Sequence, residues 1–152
     1  MELASVDVER RFSGVRRLYG EVGLAKLQTA HVIVVGIGGV GSWAAEALAR
    51  NAIGKLTLID LDNIAESNFN RQIHALEDNL GKAKVTAMRE RIVQINPLCQ
   101  VHEIEDFVST ENVGDALGAN IHVGAGAVVL DATDDVKAKV AMAAYCKANG
   151  LS

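Results

Sequence analysis

This chain of 152 residues has few means of being stapled together covalently. Its two cysteines, Cys99 and Cys146, make no disulfide framework and cannot alone complete a structural zinc site. A reducing, cytoplasmic setting is expected. No apolar run reaches the roughly 18 residues of a membrane span, and the N-terminus lacks the apolar core of a signal peptide, so no membrane role is expected. Basic residues are outnumbered, 15 against 19 acidic ones, for a net charge of −4. That excludes a broadly basic nucleic-acid surface and leaves room only for a local patch. Aromatics are 4% and proline occurs once, whereas glycine occurs 14 times. With 49% hydrophobic and 22% charged residues the chain is not a disordered tail. Its length suits one domain with an Ala- and Val-rich core.

The first segment, residues 1–28, reads as a charged helical arm broken by Gly14, Gly20 and Gly23, with Arg10, Arg11, Arg16 and Arg17 around Phe12 and Tyr19. Residues 29–152 read as a nucleotide-binding domain. The β-branched run His31–Val35 predicts a strand buried on both faces. A helix from Ser42 to about Asn51 comes next, with Ala45, Leu48, Ala49 and Ala52 on one face. Residues 55–60 form a second strand, completing a right-handed βαβ unit. A polar loop runs from about Leu61 to Gly81, long enough to suggest function. A helix over 82–95 stops at Asn96-Pro97. Residues 100–104 and 127–131 read as strands, 110–119 as a short helix, and 135–148 as a last helix stopped by Asn149-Gly150. The alternation predicts an α/β, doubly wound, mainly parallel sheet with helices on both faces. The chain stops where a further strand is expected, so it is read as the N-terminal part of a longer protein.

Gly36-Ile37-Gly38-Gly39-Val40-Gly41 satisfies GxGxxG between a strand and a helix. The first glycine allows the tight turn, the second lets phosphate approach the backbone, and the third permits close helix–strand packing. Exposed N–H groups at the helix start favour an anion. Asp60, 19 residues beyond Gly41, can accept hydrogen bonds from ribose hydroxyls, or simply cap the loop. To this point a dinucleotide enzyme and an adenine-nucleotide enzyme fit equally.

Beyond Asp60 the chain is unlike an ordinary NAD site. Asp60-Leu61-Asp62 leads into Ser67-Asn68-Phe69-Asn70-Arg71-Gln72, then Gly81-Lys82-Ala83-Lys84, then Asp131-Ala132-Thr133-Asp134. With the glycine loop these make five signatures, in order within about Phe12 to Ser152, that resemble the superfamily of ubiquitin-activating, molybdopterin-synthase-activating and thiamine-biosynthesis adenylyltransferases. Arg11-Phe12-Ser13-Gly14, Arg17-Leu18-Tyr19-Gly20 and Asn70-Arg71-Gln72-Ile73-His74-Ala75-Leu76 are similar to one branch, the bacterial tRNA threonylcarbamoyladenosine dehydratases. The resemblance implies ATP and Mg²⁺ as cofactors, a homodimer, and activation of a carboxylate as an acyl adenylate. In that branch the reaction cyclises threonylcarbamoyladenosine at position 37 of tRNA. It implies that Gly36, Gly38, Gly39 and Gly41 shape the phosphate loop and that Asp60 and Asp62 take the ribose. Asn68, Arg71 and Lys84 then surround the phosphates with Gln72 in support, and Asp134 holds the metal. An arginine of the arm reaches the partner subunit's ATP, and Arg17 is favoured over Arg11.

Two other readings stand beside this one. The chain could instead be an adenylyltransferase that activates the C-terminus of a ubiquitin-like sulfur-carrier protein, with a cysteine-desulfurase system as a further partner. An NAD-binding oxidoreductase or a non-catalytic nucleotide-binding domain would also use the glycine loop. Blander roles are expected for several residues. Lys82 is a solvated lysine, Asp131 satisfies loop N–H groups, Asp135 caps the last helix, His74 packs or hydrogen-bonds, and Trp43 lies in the core or an interface. Cys99 and Cys146 are expected to be inert, and His31, His102 and His122 show no ligand spacing.

Overall fold

Four short segments pair side by side. The computed structural model describes residues 6–119 and 126–152. Strands β1 (His31–Val35), β2 (Lys55–Ile59), β3 (Gln100–Ile104) and β4 (Val128–Asp131) form a parallel sheet in the order β3-β2-β1-β4. The order reverses at β1, between β2 on one side and β4 on the other. In open parallel sheets ligands bind beyond the strand ends at such a switch.

Side chains alternate across a strand, so β1 must bury two separate sets. Val32 and Val34, with Leu56 and Leu58 of β2, pack against α2 (Gly41–Arg50) and α3 (Lys84–Ile95) through Ala45, Ala49, Val85, Met88 and Ile92. Ile33 and Val35, with Ile59, meet α4 (Val136–Asn149) at Ala138 and Met142, and a π-helical turn (Asp115–Ala119) at Ala116 and Leu117. That is why β1 reads as an unbroken apolar run. The expected doubly wound α/β architecture is present. Asp135 caps α4 by accepting from Lys137 N and Ala138 N (2.7 and 3.1 Å), and Gly150 ends it in the left-handed region. Among the described residues no helix is long and apolar enough to cross a membrane. His122 lies outside the described residues.

The arm differs from expectation. Helix α1 runs Val8–Thr29 and departs from helical geometry at Phe12 and Gly20 but not at Gly14 or Gly23. Glycine inside a helix costs only about 1 kcal/mol, so packing can carry it, and here Phe12 and Leu24 are buried against Ala52. Ala52 itself lies beyond α2 and packs here, not on the α2 core face. The end of α1 is laced to β2, since Gly54 N donates to the Leu27 carbonyl (3.1 Å) and Lys55 N to that of Ala30 (3.1 Å). The Gln28 carbonyl oxygen lies 1.8 Å from where a side chain on Gly54 would begin.

This packing has measurable consequences for stability. Gly54→Ala forces α1 off β2 and should cost about 1–3 kcal/mol, read as a lower urea midpoint with an unchanged slope. Burial, with Lys55 and His102 adding to it, pushes the His31 imidazole down to about 4. Burial also lowers His74, against the Ile37 carbonyl that favours its proton. Both rings take a proton more readily when unfolded. Their contribution is complete above the ordinary value of about 6.5 and is lost as pH falls below it, for His31 down to about 4. In urea titrations across that window, His31→Gln should make the midpoint less pH-dependent.

Candidate active site

The turn from β1 into α2 is set by contact, not by side-chain chemistry. Gly36 has φ +89°, and a Cβ there would lie 2.8 Å from the Ala132 carbonyl oxygen. A Cβ on Gly41 would lie 1.7 Å from the Gly36 carbonyl oxygen. The loop therefore folds tightly at the end of the sheet, with Gly36 N donating to Ile59 O (2.8 Å).

Both backbone groups of Ile37, inside this loop, are held by side chains. Its N–H donates to Asp60 Oδ2 (2.6 Å), and its carbonyl accepts from His74 Nε2 (2.8 Å). A carbonyl can only accept, so His74 carries its proton on Nε2. Asp60 Oδ1 also accepts from Asp62 N (2.8 Å), so one carboxylate ties the glycine loop to the strand end. Asp60 thus caps the loop and also lines the cavity beside it.

The long loop after β2 is pinned to the start of α3. Ile64 N donates to Lys82 O and Gly81 N to Ile64 O (both 2.9 Å), and Lys84 N reaches Asp62 O (3.0 Å). This brings Asp62 Oδ2 within 3.1 Å of Lys84 Nζ. The pair is asymmetric, for the Lys84 side chain is 7% exposed and that of Asp62 72%. A nearly buried ammonium is costly unless countered by negative charge, and the solvated Asp62 leaves it open to a second anion. Arg71 lies across the glycine loop, its Cγ and Cδ 3.2 Å from the Cβ position of Gly39. Its Nη1 donates to Ser67 O (2.9 Å) and Asn70 Oδ1 (3.0 Å).

These pieces surround one cavity of about 820 Å³ beyond the ends of β1, β2 and β4. Gly36, Gly38, Gly39, Asp60, Asp62, Arg71, Gln72, Lys84 and Asp134 all line it. Gln72 is buried, and its Oε1 has no partner. A buried acceptor without a partner is uncommon and points to a group that arrives. Two expected site residues lie elsewhere. Gly41 sits behind the wall as a packing glycine. Asn68 is buried, with Oδ1 accepting from Ala65 N (2.9 Å). Arg17, expected at the partner subunit's ATP, is on α1 and does not line its own chain's cavity. Asp131 plays the local part expected of it. It accepts from the N–H and hydroxyl of Thr133 (3.0 and 2.8 Å) and pairs with Lys139 (3.2 Å). Burial works against its ionisation, but these contacts hold the carboxyl below its usual range.

Of the two places expected for Trp43, it does not occupy the core: it is 53% exposed, and its Nε1 donates to Arg71 O (2.8 Å). Asp106, Phe107 and Val108 also line the cavity, and nothing in the sequence pattern singles them out. They come after β3 with no motif of their own. The topological rule that ligands gather at strand C-termini is the signal that could have found them. Burial pushes the Cys99 thiol up to about 11 and raises that of Cys146, so neither is a ready nucleophile.

The model of the ThiF family matches residues 12–152. The chain belongs to the ThiF family. Among ThiF-family relatives it is 53% identical to the tRNA threonylcarbamoyladenosine dehydratase of Escherichia coli K12, over 93% of this chain and 51% of that protein. The Haemophilus influenzae protein of the same name is 48% identical over 99% of this chain and 56% of its own length. The chain thus spans about half the length of these curated relatives. A crystal structure of the E. coli dehydratase in complex with ATP superposes with a TM-score of 0.88 at 52% identity, covering 97% of this chain and 58% of that one.

His74→Ala should leave the ThiF-type glycine loop unclamped at Ile37. The fold should persist with a loss of about 1–3 kcal/mol, while nucleotide affinity in calorimetric titration falls several-fold. His74→Asn, which can still donate, should recover part of that affinity.

Proposed function

We propose that this chain is the ATP-binding portion of an enzyme that activates a carboxylate as an acyl adenylate, and that the carboxylate is that of threonylcarbamoyladenosine in tRNA. The observation that carries the reading is the convergence of Arg71, Lys84, Asp60, Asp62 and Asp134 on one cavity at the sheet's switch point. The half-length identity to dehydratases supports the choice of substrate.

A carboxylate is a poor electrophile because oxide would have to leave. Attack of its oxygen on the α-phosphorus of ATP forms a new P–O bond and breaks the bond to pyrophosphate. The side chain's own carbamoyl group then attacks the activated carbonyl, a ring closes, and AMP departs with the former carboxylate oxygen. The net change in the nucleoside is loss of one water. The site must gather two anions and hold them in line, so positioning and positive charge matter more than a general base.

The residues present fit this task. Asp60 and Asp62 face the ribose, and the Ile37 clamp fixes the loop against which the phosphates lie. Arg71 and Lys84 supply positive charge on two sides, and Gln72 Oε1 offers the acceptor that lacks a partner. Among the described residues no three His, Cys, Asp or Glu side chains gather as a metal cluster. Asp134, exposed on the cavity wall, fits Mg²⁺ that arrives with phosphate oxygens and water as its other ligands. That ion would neutralise developing charge on the leaving pyrophosphate. Arg17, outside its own chain's cavity, would act in a homodimer by reaching the nucleotide of the second copy.

In the full-length protein, Arg71→Ala and Asp134→Ala should each lower ATP–pyrophosphate exchange by about 10²-fold or more while leaving the melting transition in place. Near-normal exchange in either variant removes that residue from the site. Given ATP, Mg²⁺ and tRNA bearing threonylcarbamoyladenosine, nucleoside mass analysis should find the dehydrated form together with AMP. Unaltered nucleoside beside active ATP–pyrophosphate exchange would direct the search to another carboxylate.

A further inference from the structure

A second cavity, of about 430 Å³, shares no lining residue with the first. Three guanidinium groups from three helices meet there. They are Arg11 near the start of α1, Arg50 at the end of α2 and Arg91 on α3, with buried Phe12 beside them. Arg50 lies nine residues from Gly41, about 13 Å along α2 from the glycine loop.

One carboxylate is present, and it is already used. Glu46 is 6% exposed and accepts from Arg50 Nε (2.8 Å) and from Arg91 Nε and Nη2 (2.5 and 3.2 Å). Burial opposes its ionisation, but Arg91 and Arg50 overcome that and hold its carboxyl below the usual range. Arg11 Nη1 donates to the Ile95 carbonyl (2.8 Å). Each guanidinium is therefore fixed by one part of its fork. Among the described residues, Arg50 Nη1 and Nη2, Arg91 Nη1, and Arg11 Nε and Nη2 make no hydrogen bond. Three positive charges against one negative leave the cavity strongly cationic in a chain that is acidic overall. Neutralising Glu46 accounts for one arginine and leaves two without a counter-charge.

The geometry selects among anions. A planar carboxylate is satisfied by forks lying in its plane. Donors converging from three helices suit a tetrahedral oxyanion, which accepts from several directions. We propose that Arg11, Arg50 and Arg91 seat one phosphodiester group of the RNA substrate, on a face separate from the ATP cavity. This rests on the tRNA reading above and adds a second contact to it. The Arg50 side chain is 57% exposed, so a strand passing over the surface can reach it without entering a closed chamber. The pocket also supplies the local basic patch that an acidic chain needs to hold a polyanion.

The test uses full-length protein and fluorescently labelled tRNA bearing threonylcarbamoyladenosine, titrated from 50 to 200 mM salt. Arg50→Gln leaves Glu46 paired with Arg91. It should weaken tRNA binding about fivefold and reduce the slope of log K against log salt by about 1, with ATP–pyrophosphate exchange unchanged. Arg50→Lys, which keeps a point charge, should restore the slope. Arg10→Gln, outside the pocket, should bind as the parent does. If Arg50→Gln does not fold, Arg11→Gln is read for tRNA affinity and slope in the same way. At matched ionic strength, inorganic phosphate should weaken tRNA binding by the parent more than by the variant. Unchanged affinity and slope in the folded variants overturn the proposal. So does a variant that loses inorganic phosphate binding yet holds tRNA normally, since the pocket is then a free-phosphate site. A parent that exchanges pyrophosphate but neither binds nor dehydrates the tRNA sinks the substrate reading itself. Normal dehydration with insensitive variants sinks only this seat.

Discussion

The carbonyl oxygen of Gly36 occupies the space where Gly41 would carry a side chain, 1.7 Å from that position. Helix α2 can therefore begin directly over the end of β1. Its first N–H groups then stand at the point where the sheet order reverses. Any larger residue would push the helix away and open the turn. The rest of the site is arranged around this contact. Asp60 and His74 hold the two polar groups of Ile37 because a tight glycine turn has no side chains with which to stiffen itself. The long loop after β2 is drawn against α3, which carries Lys84 to the cavity wall.

Charge is distributed with a consistent logic. The cations that face the cavity are anchored through only part of their hydrogen-bonding capacity. Lys84 has one well-hydrated carboxylate, and Arg71 is held by a carbonyl and an amide. A nearly buried ammonium opposite an exposed acid is a poor stability device, since its desolvation is only partly offset. It is a good receptor for an incoming anion. The same economy governs the arginine pocket, where a single buried acid orients two guanidinium groups and saturates neither.

The fold was largely legible because parallel strands buried on both faces are mostly apolar, and His31–Val35 and Lys55–Ile59, each with three or four aliphatic residues of five, stand out for that reason within a residue or so. The cavity residues were legible for a different reason. Glycine at 36, 38 and 39, aspartate at 60 and 62, and Arg71, Gln72, Lys84 and Asp134 form a spaced set, and all nine line one space. Other features carried no local signal. Gly14, Gly20 and Gly23 look alike in sequence, but only Gly20 takes a positive φ, a choice made by the packing of the arm. Asn68 sits within a phosphate-site motif, yet its side chain is occupied with the turn at Ala65. Asp106 and Phe107 enter through topology alone. The size of Trp43 points to the core or an interface, whereas one polar atom ties it to the surface beside Arg71.

That tie gives the chain a built-in optical gauge. Trp43 is its sole indole, half in water, and bonded to the backbone of the residue that lies over the glycine turn. A shift of the Arg71 main chain as cargo enters would change the polarity around that ring. Its emission colour would report such a shift without any attached dye.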